Sequence, residues 1–238
     1  MTGSAGVTST VDRVYEELKH LAITYAIKPG SRVNEGAVAR RLGVSRTPLR
    51  EALNRLKAAG FLDFSPNQGF FGKALDPGDI LELYEMRQAI EVASARLAAK
   101  RASVEALDEM DQYLAHSMRR TPGQSVDQMV ALDEGFHERI VKLTGNRQML
   151  DCLRNINDRI RFFRWIDMEE EKRRDTQNEH HDVLLALRAQ DGERAARILD
   201  THIARRRDQI VGQVREGFAR IYVGNGASAI HSESGGLS

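Results

Sequence analysis

The chain has 238 residues, of which 41% are hydrophobic and 29% are charged, proportions typical of a globular protein with one or two domains. Its single cysteine, Cys152, excludes an intramolecular disulfide and fits a reducing compartment. No apolar run is long enough to span a membrane, and the first ten residues lack the features of a secretory signal, so we expect a cytoplasmic protein without a membrane partner.

Charge is distributed unevenly along the chain. Residues 1–73 contain eleven basic and six acidic residues, a net charge of +5, whereas the remainder carries a net charge of −4. A basic segment of this kind favours contact with a phosphate backbone. We therefore predict one nucleic-acid-binding module in the basic first third and a module of different function in the remainder, with a flexible tail over residues 217–238.

In chain order, apolar residues at helical spacing predict a first helix over residues 11–25, and the segment 28–30 (Lys-Pro-Gly) ends it. Residues 33–60 then have the pattern of two short helices joined by a tight turn at Gly43, with Ser45 capping the second helix. The spacing of three leucines gives this second helix an apolar inner face: Leu49, Leu53 and Leu56.

The outer face of the second helix carries polar residues suited to DNA: Arg46, Thr47, Arg50 and Asn54. Arginine can donate two hydrogen bonds to a guanine edge, and small hydroxyls can reach phosphates. The alternative is a solvated helical hairpin that binds no nucleic acid. Residues 32–57, however, hold seven basic and two acidic residues, and this local charge favours DNA binding.

After Gly60, two short strands are predicted around a turn at residues 65–69, which gives a β-hairpin. Residues 34–60, with the sequence NEGAVARRLGVSRTPLREALNRLKAAG, together with this hairpin resemble the winged helix-turn-helix of the GntR family of bacterial transcription regulators. The resemblance covers residues 8–73, the predicted DNA-binding domain. It implies that Arg46 and Arg50 contact the operator and that Ser45 and Thr47 bind its backbone. It also implies that the wing tip enters the minor groove through Asn67, Gln68 and Gly69.

Residues 78–216 contain no convincing strand pattern and predict six helices with short turns, an all-α antiparallel bundle. The fold class is thus mainly α, a winged helix-turn-helix followed by a helical bundle. We expect a cap at Asp79 or a neighbour for the first of the six helices, and a break at residues 121–123 before the third. The sixth is predicted to end at about residue 216.

Three bundle helices carry ionisable residues on their apolar faces. Asp133 and His137 lie one turn apart on the third helix, and His180 and His202 lie among the apolar residues of the fifth and sixth. Buried imidazoles and carboxylates need a partner. One solution is a metal ion, and the other is a separate hydrogen bond for each side chain. His181 points about 100° away from His180 around the helix, so we expect it to be peripheral.

These histidines fall within a second resemblance. The segments DEGFH (133–137), EHHDVLLAL (179–187) and HI (202–203), with LYEMRQAIE (83–91), resemble the FadR-type C-terminal (FCD) effector domain. In metal-containing members of that family an Asp-x3-His pair and two later histidines hold a divalent metal, and a small carboxylic acid completes the coordination. The resemblance implies a metal site of Asp133, His137, His180 and His202, in which Zn, Ni, Co, Fe or Mn would fit.

A carboxylate effector requires a cation, and the family resemblance points to Arg87, with Arg161 as a weaker candidate. For Arg87 the alternative is an ion pair with Glu91, four residues on. The implied function is a ligand-responsive repressor that binds a palindromic operator as a homodimer. A metal-dependent hydrolase and a direct metal sensor remain alternatives for the same Asp/His site, but we expect no enzyme because no general base or activated nucleophile stands out.

Overall fold

The computed structural model describes residues 9–119, 124–167 and 170–222. The chain divides into two compact units, with one boundary between Leu75 and Asp76 and another between Gly217 and Phe218. The first unit is a three-helix domain with a β-hairpin, and the second is a helical bundle. This architecture confirms the predicted fold class.

The first unit contains α1 (Thr10–Ile23), α2 (Glu35–Leu42) and α3 (Arg46–Ala58). The inner face predicted for α3 is fully buried and packs against α1 through apolar side chains. The residues at the centre of this core are Val14, Leu18, Leu49, Leu53 and Leu56. Because α3 is held rigidly by one face, its opposite face is presented to solvent at a fixed angle.

The turn between α2 and α3 follows the prediction with one difference. Gly43 ends α2 in the left-handed region, at φ +62°, where glycine is favoured. Ser45 occupies the N-cap position of α3, but within the described chain its side chain makes no capping hydrogen bond. The Ser45 hydroxyl is therefore free to bind an external acceptor.

The predicted hairpin is present as strands β1 (Leu62–Ser65) and β2 (Gly69–Gly72), which pair antiparallel with Leu62 opposite Gly72 and Ser65 opposite Gly69. Asn67 at the tip adopts a positive φ of 65°, which asparagine tolerates better than most residues. The base of the hairpin is joined to the chain before α2, since Gly72 N donates to Ser31 O at 2.9 Å.

The second unit contains α4 (Pro77–Arg101), α5 (Val104–Met118), α6 (Val126–Leu143), α7 (Arg147–Asp167), α8 (Glu170–Arg188) and α9 (Gly192–Tyr222) as far as residue 217. A core of alanines, leucines and Phe136 joins α4, α5, α6, α8 and α9. Helix α6 packs against α4, α5 and α7, and α8 packs against α4 and α5. Helix α6 therefore lies in the interior of the bundle.

Two helix boundaries differ from the sequence prediction. Asp76, rather than Asp79, caps α4 by accepting a hydrogen bond from Gly78 N at 2.8 Å, because Pro77 can occupy the first helical position. Helix α9 continues to Tyr222, beyond the predicted end at residue 216. The glycine at residue 217 does not end it, because one glycine inside a helix costs only about 1 kcal/mol. The predicted break at 121–123 and the tail from residue 223 lie outside the described residues.

A substitution at Gly72 tests the close packing at the base of the hairpin. A Cβ atom at this position would overlap the carbonyl oxygen of Lys28, and backbone atoms cannot move aside cheaply. We expect Gly72→Ala to destabilise the first unit by about 1–3 kcal/mol. Hydrogen exchange of the amides in residues 62–72, followed by mass spectrometry, should show a corresponding loss of protection.

Gly36→Ala is the matched control. A Cβ atom at residue 36 in α2 would meet only side-chain atoms, Asn34 Oδ1 at 3.6 Å and an Arg40 nitrogen at 3.7 Å. Alanine is the better helix former, so protection should be unchanged or higher. Equal protection of the two variants would show that the approach of Lys28 to Gly72 is not a constraint.

Candidate metal centre and nucleic-acid interface

Four side chains from three helices converge in the second unit. Asp133 and His137 project from consecutive turns of α6, His180 comes from α8 and His202 from α9. One potential ligand atom from each residue lies within 4.8 Å of those of the other three. Ligands around a tetrahedral zinc ion are about 3.4 Å apart, so a slight contraction would let one ion contact all four.

Four buried atoms of these side chains lack hydrogen-bond partners in the described structure. They are Asp133 Oδ1, His137 Nε2 and both ring nitrogens of His180. His180 Nε2 lies 3.5 Å from Asp133 Oδ1, which is long for a hydrogen bond. A buried polar atom without a partner is costly and rare. Separate hydrogen bonds within the described structure therefore do not satisfy these four atoms, and the donor set fits a divalent metal.

Two further carboxylates orient the histidine rings. Glu91 on α4 bonds His137 Nδ1, and Glu179 on α8 bonds His202 Nδ1 at 2.7 Å. Metal-binding histidines commonly donate their second ring nitrogen to a carboxylate in this way. Each contact leaves Nε2 directed to the cluster. The sequence analysis did not predict that Glu91 and Glu179 bind these histidines. The adjacency of Glu179 to His180 in the sequence could have suggested that Glu179 lies near the cluster.

The ionisation states suit metal binding. Burial lowers the pKa of His137 to about 4 and holds the pKa of His180 well below its usual value, so both rings are neutral at pH 7. Burial alone would raise the pKa of Asp133, but Arg164 and the nearby histidines keep it well below its ordinary value. The cluster thus offers neutral imidazoles and one anionic carboxylate, the forms that bind a cation.

Arg164 on α7 is a member of this site that was not predicted from the sequence. It is buried, bonds Asp133 Oδ2 with one nitrogen and donates to Asn157 Oδ1 at 3.1 Å with another. Its position four residues after buried Ile160 and seven after Asn157 places it on the inward face of α7. Helical periodicity could therefore have found it.

The two arginines predicted to contact an effector differ in position. Arg87 is only 2% exposed, donates from Nε to Glu91 Oε1 at 2.6 Å, and has a buried Nη2 without a partner among the described residues. The ion pair with Glu91 is thus formed, and it is buried. Arg161 bonds Glu134 Oε2 at 2.7 Å and is 30% exposed. Arg87 is therefore linked to the His/Asp cluster through Glu91. Arg161 instead pairs with Glu134.

In the first unit, the residues predicted to contact DNA lie on one exposed surface of α3. Ser45, Arg46, Thr47 and Arg50 are all exposed, whereas Leu49 between them is fully buried. The Nε atom of Arg50 lies 3.5 Å from Glu35 Oε2, a partly exposed ion pair that contributes little to stability. At the hairpin tip Asn67 and Gln68 are exposed and Gly69 is half-buried.

Known families match both units. The profile of the gntR family of bacterial regulatory proteins matches residues 10–71, and the FCD-domain profile matches residues 82–205. A winged helix joined to a helical effector-type bundle defines a bacterial transcription regulator. The chain belongs to the GntR family, and its second unit is an FCD domain.

Individual relatives agree with this assignment. The chain is 41% identical over 209 residues to the Nta operon transcriptional regulator of Aminobacter aminovorans, a match that covers 87% of this chain and 98% of that protein. It is 25% identical over 194 residues to the transcriptional repressor RspR of Escherichia coli K12, covering 80% of this chain and 84% of RspR.

Solved structures show the same fold. A GntR transcriptional regulator from Rhodococcus sp. RHA1 matches with a TM-score of 0.64 and 26% identity, covering 86% of this chain and 99% of that one. E. coli McbR/YncC matches with a TM-score of 0.65 at 22% identity, covering 89% and 100% of the two chains. Within the described residues, no helix is both long and apolar enough to cross a membrane.

His180 and His181 provide a test of the metal centre in adjacent positions. His180 is buried with both ring nitrogens unpartnered in the described structure, whereas His181 is exposed. We expect His180→Ala to lower bound transition metal per chain at least tenfold, and His181→Ala to leave it unchanged. Elemental analysis of the purified variants measures both values. Full occupancy in the His180 variant would contradict the ligand set.

Proposed function

We propose that this regulator is a dimeric repressor that binds a palindromic operator and is released from it by a small carboxylic acid bound at a divalent metal. The observation that carries this proposal is the convergence of unpartnered buried atoms from Asp133, His137 and His180 beside His202. Hydrophobic packing would not require these groups, and a metal ion would supply a partner for one atom of each side chain.

The recognition surface on α3 supports the DNA-binding part. Arg46 and Arg50 are exposed on the turns that a helix-turn-helix inserts into the major groove, where arginine can bind a guanine edge. Ser45 and Thr47 would bind the phosphate backbone, the wing tip would enter the minor groove, and a second copy would contact the other half-site. The name of the E. coli relative RspR, a transcriptional repressor, supports repression as the mode of action.

In the bundle, Asp133, His137, His180 and His202 would hold the metal, which would act as a Lewis acid that binds an oxygen of the effector carboxylate. Three imidazoles and one carboxylate suit Zn²⁺, Ni²⁺, Co²⁺, Fe²⁺ or Mn²⁺ and do not select among them. Arg87 would supply the cation for the remaining oxygen, because its buried Nη2 has an unused donor among the described contacts. Arg161 is already bonded to Glu134 and is partly exposed, which favours Arg87.

The arrangement also explains how an acid could change DNA binding. The candidate ligands and Arg87 come from α4, α6, α8 and α9, so a molecule that contacts them favours one arrangement of four helices. A ligand shifts an equilibrium only by its difference in affinity for the two states. We propose that the acid-bound arrangement is the one with the lower affinity for the operator.

The DNA-binding part is tested by Arg50→Ala. Loss of one base or phosphate contact in each half-site should weaken binding about 10- to 100-fold and reduce the dependence on salt. Fluorescence anisotropy with an operator fragment, selected from genomic DNA by the wild-type protein, measures both quantities.

Arg55→Ala is the control on the same helix. Arg55 pairs with Asp12 of α1 at 2.7 Å and lies over the Tyr15 ring, so its guanidinium is already occupied. We expect a change in operator affinity of less than about threefold. Wild-type affinity in the Arg50 variant would contradict the assignment of α3 as the recognition helix.

The effector part is tested by titrating operator-bound, Zn²⁺-loaded protein with a panel of small mono- and dicarboxylic acids, with and without EDTA. An acid that releases DNA only when metal is present, and not from an Arg87→Met variant, is the expected result. Release of the operator when Zn²⁺ is added to the metal-free protein, before any acid, would identify a metal sensor instead. Retention of DNA with every acid would contradict the proposed effector class.

A further inference from the structure

Glu91 lies between the arginine proposed to bind the effector and one of the proposed metal ligands. Its Oε1 accepts from Arg87 Nε at 2.6 Å, and its Oε2 bonds His137 Nδ1. Glu91 and His137 are fully buried and Arg87 is 2% exposed. A single carboxylate, removed from water, thus divides its two oxygens between a cation and an imidazole.

The charge of Glu91 depends on these two partners. The guanidinium at one oxygen and the imidazole at the other compensate the carboxylate at a place from which water is excluded. In the low-dielectric interior an interaction between charges is only weakly screened. Anything that removes the charge of Arg87 leaves more of the Glu91 charge to act on His137.

We infer that Glu91 is a positioning residue through which metal binding and acid binding affect each other. The inference rests on the metal site proposed above. An acid anion that pairs with Arg87 offsets its positive charge, so the bond from Glu91 to His137 strengthens and the basicity of His137 Nε2 increases. The acid therefore tightens the metal site, and by thermodynamic reciprocity the metal tightens acid binding by the same factor.

Glu179 provides a matched comparison within the same cluster. It also joins a histidine to an arginine, since it bonds His202 Nδ1 at 2.7 Å and Arg205 Nη1 at 2.6 Å. The difference is exposure, because the Arg205 side chain is 51% exposed and its charge is screened by water. Glu179 should therefore support the metal ligand without transmitting the charge state of its arginine.

The test is a double-mutant cycle with Zn²⁺ as the only ligand, in the full-length protein, with affinity measured by competition with a chromophoric chelator. Arg87→Met imitates loss of the guanidinium charge and should tighten Zn²⁺ binding about tenfold. Glu91→Gln should weaken it about 10- to 100-fold. When Arg87→Met is added to the Glu91→Gln variant, the Zn²⁺ affinity should change less than twofold, because Glu91→Gln has already broken the connection between residue 87 and His137.

The same cycle at Arg205 and Glu179 is the control. Arg205→Met should change Zn²⁺ affinity less than twofold with or without Glu179→Gln. If Arg87→Met has no effect alone, or has the same effect with and without Glu91→Gln, the inference is wrong, since direct repulsion between Arg87 and the ion would act in both backgrounds. A wild-type protein that binds no Zn²⁺ would instead overturn the metal site itself.

Removal of a buried cation can prevent folding, because it leaves Glu91 uncompensated. Circular dichroism melting curves identify that outcome. Arg87→Gln is the second variant for this case, since the amide can still donate to Glu91 without a charge. It should tighten Zn²⁺ binding in the same direction as Arg87→Met, and an unchanged affinity would also overturn the inference.

Discussion

Burial of a carboxylate and three imidazoles at one point in the bundle is the constraint on which the rest of the second unit depends. Each of these groups loses its hydration on folding and needs a compensating partner. One atom of His137 is bonded by Glu91, one of His202 by Glu179, and one of Asp133 by Arg164. Other buried atoms of Asp133, His137 and His180 have no hydrogen-bond partner among the described contacts, and the proposed cation would compensate one atom of each.

The two units divide the work according to charge. In the first, a rigid apolar core holds α3 by one face and leaves its arginines in solvent, where they form weak contacts that a phosphate can replace. In the second, Arg87 and Arg164 are buried and paired with carboxylates, and a lost partner at such a site costs several kcal/mol. The same residue type therefore serves for reversible contact with a polyanion in one unit and for fixed positioning in the other.

The fold could be predicted from sequence because its signals are local. The phase of Leu49, Leu53 and Leu56 identified the buried face of α3, and the phase of His180 against His181 separated a buried ring from an exposed one. The outer partners could not be predicted in this way. Glu91 and His137 are distant in sequence, and nothing local to α4 shows which side chain of α6 will lie beside it.

The candidate ligands lie on α6, α8 and α9. The first is Asp133 and the last is His202, so they are far apart in the sequence. An ion bound there closes a loop that includes most of the C-terminal half of the bundle, as a covalent cross-link would. Binding energy available only to the folded form adds to its stability, in proportion to the logarithm of free metal. The amount of intact regulator in a cell would then follow metal supply, independently of any acid.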